Sequence, residues 1–287
     1  MSLIHWHQPG DQARWRHLRG STKMTKLFGM RTDLSRDRKS DGEQIAGLAK
    51  GLAIIEAFEH QRAPLSISRA AEIAGLSRAA ARRCLRTLQK CGFVQFEDDH
   101  YHLTARALRL GQAYVASNPL PRLVQPIIET ISQRGRHSMT VTVLDGTEAV
   151  VIARTLVQRV LLGGMALGTR LPAYCSANGH VLLSELPEAA VRDILQRSDL
   201  RRRTPHTRVT VTEILRELRV VRAQGYAIND QEVERGVRSI AIPLRNRQGT
   251  IIASISAAAP STITDRRYLL KLLPDIEAVR TRIQGAL

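Results

Sequence analysis

Apolar positions recur with a helical period from Ile45 onward. In the stretch IAGLAKGLAIIEAFEH they are spaced four and three residues apart, at Leu48, Leu52, Ile55 and Phe58. This spacing predicts an amphipathic helix. Residues 1–44 show neither a helical nor a strand period, and their mixture of Arg, His, Gly, Ser and Asp predicts a disordered basic tail.

Two further helices are predicted downstream, with a short turn between them. The first, in ISRAAEIAGLS, takes Ser66 or Ser68 as its N-cap and ends at Gly75. The second follows the N-cap Ser77 and ends before Gly92. Its apolar stripe consists of Ala81, Cys84, Leu85 and Leu88.

A short hairpin and a fourth helix come next. The stretch FVQFEDDHYHLT contains two aromatic-bearing strands, Phe93–Phe96 and Tyr101–Leu103, on either side of an acidic turn. Thr104 is a good cap for a helix in ARALRLGQAYVAS. Three helices followed by a hairpin are the pattern of a helix-turn-helix with a wing.

The two prolines of SNPLPR, residues 117–122, mark a domain boundary. Beyond it, predicted helices lie in LVQPIIETISQRG, CSANGHVLLSEL, EAAVRDILQRS, VTEILRELRVVRAQG and the tail from Thr264. Predicted strands lie in SMTVTVLDG, EAVVIARTL, RVLLGG, RSIAIPLRN and TIIASISAAA. Their hairpin-like pairing predicts an α+β domain with a largely antiparallel sheet. We therefore expect a winged helix-turn-helix domain over 45–104, a linker helix over 105–119 and a second domain over 120–287.

Composition narrows the class of partner. The chain of 287 residues is long enough for about two domains. Its formal net charge of +17 favours a polyanionic partner, either nucleic acid or an anionic membrane. Three widely spaced cysteines without a C-x-x-C motif argue against disulfides or a metal site and fit a reducing cytoplasm. With neither a transmembrane run nor a secretory signal, we expect a cytoplasmic protein without a membrane partner.

The third predicted helix has a basic face without a single acid, in SRAAARRCLRTLQKCGF. It could be a solvated charged face, a membrane-surface helix or a DNA recognition helix. Its apolar side lacks Trp and Phe, which disfavours the membrane. Its place after a short turn favours DNA, where arginine reaches both phosphates and guanine edges. The predicted DNA-contacting residues are Ser66, Ser68, Ser77, Arg78, Ala79, Arg82, Arg83 and Arg86.

Several segments in this order resemble the IclR family of bacterial transcription regulators. They are LAKGLAIIEAF, LSISRAAEIAGLS, RCLRTLQKCGFV, YHLTARALRLGQAYV, MTVTVLDGTEAVVIAR, GTRLPAYCSANGHVLLS, GYAINDQEVERGVRSIAIPLRN and IIASISAAAP. The segments INDQEVERGVRSIA and AYCSANGHVLLS look closest to regulators of aromatic acid catabolism, those of protocatechuate and 4-hydroxybenzoate. The resemblance implies a GAF-like effector-binding domain, a dimer or tetramer, a pseudo-palindromic double-stranded DNA operator, a small organic acid effector and contact with RNA polymerase.

The effector site is expected where a loop enters the helix of CSANGHVLLSEL. Backbone N–H groups at Ser176, Ala177 and Asn178 could hold a carboxylate at this helix N-terminus, beside Cys175. The positions that match the family's effector pocket are Asp230, Ser239, Ser254 and Ser256. Asp230 would orient the hydroxyl of a hydroxylated aromatic acid. A non-aromatic organic acid and a repressor role remain the alternative, as do serines that bond only to backbone.

Two other classes of function compete with regulation. Cys175 and His180 could form a nucleophile pair, but a separation of five on a helix does not bring them face to face. The chain has no G-x-S-x-G, H-E-x-x-H, P-loop or G-x-G-x-x-G motif, so we expect no enzyme, catalytic residue, metal or cofactor. A purely architectural DNA-binding protein would not need a second domain of this size.

Overall fold

The computed structural model describes residues 45–59, 63–135, 137–155 and 165–284. These residues divide into two compact units that meet in the chain at Thr130 and Ile131. The expected basic tail at 1–44 and the expected strand RVLLGG at 159–164 lie outside the described residues. The domain bounds drawn from the sequence stay a prediction.

The first unit begins with three helices, as the apolar period predicted. They are α1, Ala46–Ala57; α2, Ile67–Ile73; and α3, Arg78–Lys90. Ser66, rather than Ser68, caps α2, since its hydroxyl accepts the Arg69 N–H at 3.3 Å. Ser77 caps α3 in the same way, accepting the Ala80 N–H at 3.3 Å.

Of the predicted stripe, Phe58 packs against the core of this unit, but the fully buried positions of α1 lie beside the stripe. Ile54 and Ala57 are buried with Leu65, Leu85 and other apolar side chains of the unit. Leu48 and Leu52 keep 61% and 50% of their surface exposed. The period located the helix correctly, but it did not identify the side that packs.

The wing is an antiparallel hairpin of β1, Val94–Glu97, and β2, His100–Leu103. Asp98 and Asp99 make its two-residue turn with φ of 48° and 59°, which suits the short polar side chains that tolerate this region. The Thr104 hydroxyl donates to the Gly92 carbonyl at 2.5 Å, which ties the base of the wing to the end of α3. A short 3-10 helix, Ala105–Ala107, leads into α4, Leu108–Ser117.

The proline segment interrupts the helices for only one residue. Helix α5, Pro119–Gly135, begins directly after Asn118, the C-cap of α4. Pro119 and Pro121 fall in its first turn, where the missing backbone N–H has no intrahelical acceptor to lose. The predicted break between helices is therefore real but short.

The second unit is built on a six-stranded sheet in which every neighbouring pair is antiparallel, as predicted. The strands are β3, Ser138–Asp145; β4, Glu148–Arg154; β5, Arg170–Pro172; β6, Ala227–Asp230; β7, Val237–Arg245; and β8, Ile251–Pro260. Their order across the sheet is β5-β4-β3-β8-β7-β6. The short edge strands β5 and β6 were not predicted, because three or four residues do not establish a period.

The described residues of this unit also form five helices that follow β5 in the chain. They are α6, Ala177–Ser184; α7, Glu188–Arg197; α8, Val211–Gln224; α9, Arg266–Lys271; and α10, Leu273–Gln284. Helix α6 is buried along its whole length between the sheet and α8. The α+β class predicted from the sequence is confirmed. Among the described helices, none combines the length and apolar character needed to cross a membrane.

Candidate DNA interface and effector site

Helix α3 separates its apolar and basic residues onto different faces. Ala81 and Leu85 are fully buried against α1 and α2, which fixes the rotation of the helix. The predicted contact residues of the helix are all exposed: Arg78, Ala79, Arg82, Arg83 and Arg86. The cap Ser77 is exposed as well, so the N-terminal end of α3 is open to a partner.

The arginines of α3 have no carboxylate partner among the described residues. By contrast, Arg69 on α2 is paired with Glu72 at 2.8 Å, beside the exposed Ser68. An arginine without an internal partner keeps all five N–H donors for an external acceptor. Phosphate oxygens and guanine edges are the acceptors that match this donor geometry.

The wing beside this helix carries the opposite charge. Glu97, Asp98 and Asp99 are all exposed at its tip. The exposed Phe96 ring packs against Tyr101 with a centroid distance of 4.8 Å, which holds the hairpin in shape. An acidic tip is repelled by phosphate, so the basic surface of this unit is concentrated on α3.

In the second unit, the sequence-predicted site residues collect where α6 begins. The Ser176 hydroxyl accepts the Gly179 N–H at 3.1 Å and so caps the helix. A methyl group added at Gly179 would lie 2.3 Å from the carbonyl oxygen of Ala173. The first turn of α6 is therefore packed directly against the backbone at Ala173, and Ala177 is 2% exposed.

The buried side chain of Asn178 links α6 to the sheet, whereas the sequence reasoning considered only its backbone N–H. The Asn178 amide donates to the Ser256 hydroxyl at 3.0 Å and accepts from the Ser254 hydroxyl at 2.7 Å. Both serines are at most 3% exposed. Their shared side of β8, inferred from the alternation of the strand, thus faces α6. An Asn in the first turn of a buried helix is the signal that could have identified this link.

Ser254 and Ser256 belong to a polar face of the sheet, which continues across the neighbouring strands. Ser256 is paired in register with Thr140 on β3, and Thr140 with Arg154 on β4, so the three side chains share the side that faces α6. The Thr140 hydroxyl also contacts the Met165 sulfur at 3.6 Å. Thr142, paired with Ser254, is fully buried, and its hydroxyl has no hydrogen-bond partner among the described residues.

Ser239 and Asn229 extend this face towards the other edge of the sheet. They are paired in register on β7 and β6. The Asn229 amide donates to the Cys175 carbonyl at 2.5 Å, so this side of β6 meets the start of α6. Ser239 is half-buried, and the described residues offer its hydroxyl no hydrogen bond.

Asp230 does not lie on this polar face of the sheet. As the neighbour of Asn229 on a strand, it points to the other side of the sheet. Its carboxylate accepts a hydrogen bond from Arg238 Nε at 2.6 Å and is 55% exposed. Partial burial would raise the pKa of Asp230, but the bond from Arg238 prevails and lowers it. The expected role of Asp230 as a hydroxyl acceptor is not supported by this position.

Cys175 is unsuited to nucleophilic chemistry. Burial raises the pKa of its thiol to about 12, although the nearby Arg203 opposes this shift. The His180 Nε2 atom is 2.7 Å from the Tyr174 carbonyl, to which it donates. Because its other ring nitrogen has no partner within the described residues, no hydrogen bond joins His180 to the thiol. Within the same part of the chain, no three His, Cys, Asp or Glu residues are grouped so as to hold a metal.

Comparison with known proteins identifies the family of both domains. Residues 47–98 match the IclR helix-turn-helix domain, and residues 112–284 match the family described as bacterial transcriptional regulator IclR C-terminal. These matches cover the basic helix, the first strand of the wing and the polar face of the sheet. They confirm the resemblance drawn from the sequence segments.

Three individual proteins illustrate the likeness. The Pca regulon regulatory protein of Pseudomonas putida is 36% identical over 219 residues, 76% of this chain and 75% of its own. The p-hydroxybenzoate hydroxylase transcriptional activator of Acinetobacter baylyi is 36% identical over 238 residues, 81% and 88% of the two chains. A double mutant of the PobR inducer-binding domain from Acinetobacter, solved with 3-hydroxybenzoic acid, is 30% identical with a TM-score of 0.56, over 59% of this chain and all of that one. The chain belongs to the IclR family of bacterial transcription regulators.

Proposed function

We propose that this regulator binds a pseudo-palindromic operator through α3 and responds to a small aromatic carboxylate. The observation that carries DNA binding is the set of exposed arginines on α3 without carboxylate partners. Helix α3 enters the major groove, and Ser66 and Ser68 at the start of α2 reach the adjoining phosphates. The protein works in the cytoplasm, where it also contacts RNA polymerase.

The proposed effector site is the polar face between α6 and the sheet. Ser239, Ser254 and Ser256 supply hydroxyls, and Asn178 holds the two buried serines in place. Cys175, Ser176 and Ala177 form the wall at the start of α6. The relatives named for p-hydroxybenzoate and Pca regulation, together with a related domain holding 3-hydroxybenzoic acid, support an aromatic acid.

Self-association follows from a two-fold operator and from exposed apolar side chains in the first unit. Leu48 and Leu52 on α1, and Leu108 and Leu110 on α4, are each at least half exposed. Two DNA-binding units joined through such residues would read half-sites about one helical turn apart. We propose a homodimer. Two such dimers would form a tetramer.

The test begins with selection of genomic fragments bound by the purified protein, which yields the operator. Its affinity for the protein is then measured with 4-hydroxybenzoate, with protocatechuate and with an aliphatic dicarboxylate, and direct binding is followed by calorimetry. We expect binding of at least one aromatic acid. Binding of the aliphatic acid alone would show that the protein senses a non-aromatic acid, and binding of none would contradict the effector site.

We expect Arg82→Ala to weaken operator binding, because Arg82 is exposed one turn into α3 without an internal partner. If Arg82 contacts a base, the loss should be about 1–3 kcal/mol and depend on sequence. If it contacts phosphate, the slope of log affinity against log salt concentration should become shallower by about one. Arg216→Ala, at an exposed site on α8, is the control. Unchanged affinity and salt dependence in Arg82→Ala would exclude this helix from the interface.

A further inference from the structure

The polar face of the sheet has two ends with different chemistry. At one end Arg154 on β4 provides a cation, half-buried and in line with Thr140 and Ser256. At the other end Ser239 on β7 provides a hydroxyl that makes no hydrogen bond within the described residues. We propose, resting on the proposed effector site, that Arg154 binds the carboxylate of the aromatic effector and Ser239 its ring hydroxyl.

The floor between these two residues suits a flat ring. Ser138, Ala258 and Ser239 are paired in register across β3, β8 and β7. On the same side of the sheet, they lie next to the row of paired residues that contains Arg154, Thr140 and Ser256. Their small side chains leave space above the sheet, and the half-buried Ala258 shows that this space is not filled by α6. Met165, in contact with Thr140, provides an adaptable apolar wall.

The span fits an effector with its two polar groups at opposite ends. Three strand spacings separate β4 from β7, which is about 14 Å between backbones. A benzene ring with its carboxylate and hydroxyl in para positions holds these two groups at opposite ends of the ring, whereas a meta hydroxyl would point away from the Ser239 end.

The start of α6, the other candidate for the carboxylate, is closed. Ala173 packs against Gly179 so tightly that even a methyl group would collide there. Ala177 and Asn178 are 2% and 4% exposed, so solvent does not reach the first turn of α6. Arg154 carries a full charge and a forked donor geometry that matches a carboxylate, and it is partly open to solvent.

The test compares 4-hydroxybenzoate with 4-hydroxybenzamide, which has the same shape but no negative charge. Both are titrated by calorimetry into the full-length protein and into Arg154→Gln. We expect the ratio of the two affinities to fall by about 10- to 100-fold in the variant, through loss of 4-hydroxybenzoate binding alone. Partial unfolding would weaken the binding of both ligands equally. The ratio of their affinities therefore reports only the interaction between Arg154 and the carboxylate. Arg154→Lys should give an intermediate ratio, and Arg216→Gln should leave it unchanged.

A second comparison tests the hydroxyl end. Ser239→Ala should weaken the binding of 4-hydroxybenzoate by about fivefold and leave the binding of benzoate unchanged. If the wild-type protein binds no aromatic acid, the proposed effector itself is wrong. If the wild type binds 4-hydroxybenzoate and Arg154→Gln keeps the wild-type ratio, the effector stands and the role of Arg154 is overturned.

Discussion

Cys175 and Asn178 are three residues apart at the start of α6, and both are buried, yet burial has opposite consequences for them. The thiol loses its reactivity, because the thiolate is destabilised away from water. The amide gains importance, because each of its hydrogen bonds replaces one that water would otherwise supply. Each residue therefore leads to its own prediction.

We expect Cys175 to resist alkylation at pH 8 in the native protein, since its thiol is fully buried with a pKa of about 12. Cys91 is exposed and should be modified first. Mass-spectrometric mapping after iodoacetamide treatment distinguishes the two sites. Rapid labelling of Cys175 would contradict its burial and reopen the nucleophile hypothesis.

The same raised pKa predicts how stability changes with pH. A thiol whose pKa is higher in the folded state contributes stability that is fully present below its ordinary pKa of 9.0 and is lost as the pH rises towards about 12. The free energy of unfolding should thus decline above pH 9. Denaturant titrations of Cys175→Ala should show a shallower decline, and identical slopes would contradict this account.

We expect Asn178→Ala to lower the free energy of unfolding by about 2–3 kcal/mol, because two buried serine hydroxyls lose their partner. Ser254→Ala removes one of these bonds and should cost about half as much. Urea denaturation of the three proteins provides the measurement. Equal stability of Asn178→Ala and the wild type would show that the link between α6 and β8 is dispensable.

At the scale of elements, charge divides the DNA-binding unit between a basic helix and an acidic wing. Helix α3 carries arginines that pair with no carboxylate in the described part of the chain, while Glu97, Asp98 and Asp99 are exposed at the turn of β1 and β2. Since like charges repel, the wing should oppose non-specific binding while α3 promotes it. Operator recognition then depends more strongly on direct contacts of α3 with bases.

We expect neutralising the wing, as Glu97→Gln, Asp98→Asn and Asp99→Asn together, to raise affinity for non-specific duplex DNA by about fivefold at low salt. Asparagine tolerates the positive φ at both turn positions, so the hairpin should keep its shape. The gain should shrink at high salt through screening. Fluorescence anisotropy across a salt series gives the affinities.

The matched control removes three exposed acids from the second unit, Glu188→Gln, Asp193→Asn and Asp199→Asn. It changes the net charge equally without altering the wing. If both triple variants gain the same affinity, net charge rather than the position of the wing is responsible.

The elements also show what could be predicted from sequence. The spacing of apolar residues and the helix-capping residues located α1 to α3, the wing and the long strands, because these signals are local. The core side of α1 was not predicted, since Leu48 and Ile54 are equally apolar and only tertiary packing chooses between them. The side-chain contacts of Asn178 and the inward orientation of Asn229 were missed for the same reason, because each depends on partners 50 or more residues away.

At the scale of the whole molecule, we expect Leu48→Gln with Leu52→Gln to shift the protein from the proposed dimer to a monomer. Both side chains are at least half exposed, so the fold should tolerate the change. Light scattering after size-exclusion chromatography measures the mass, and operator affinity should fall with it. Val220→Gln, an exposed apolar site on α8, is the control. A dimer that survives the double substitution must associate through other residues.

The order of the strands has a consequence for the synthesis of the chain. The central pair of the sheet, β3 and β8, joins Ser138 to Ala258, whereas β3–β4 and β7–β8 are hairpins between near neighbours. The two halves of the sheet can form locally, but they can only meet after β8 has left the ribosome. Until then β3 presents an unpaired edge, which makes the incomplete chain prone to aggregate. This regulator thus completes the sheet of its second domain long after its DNA-binding helices have emerged.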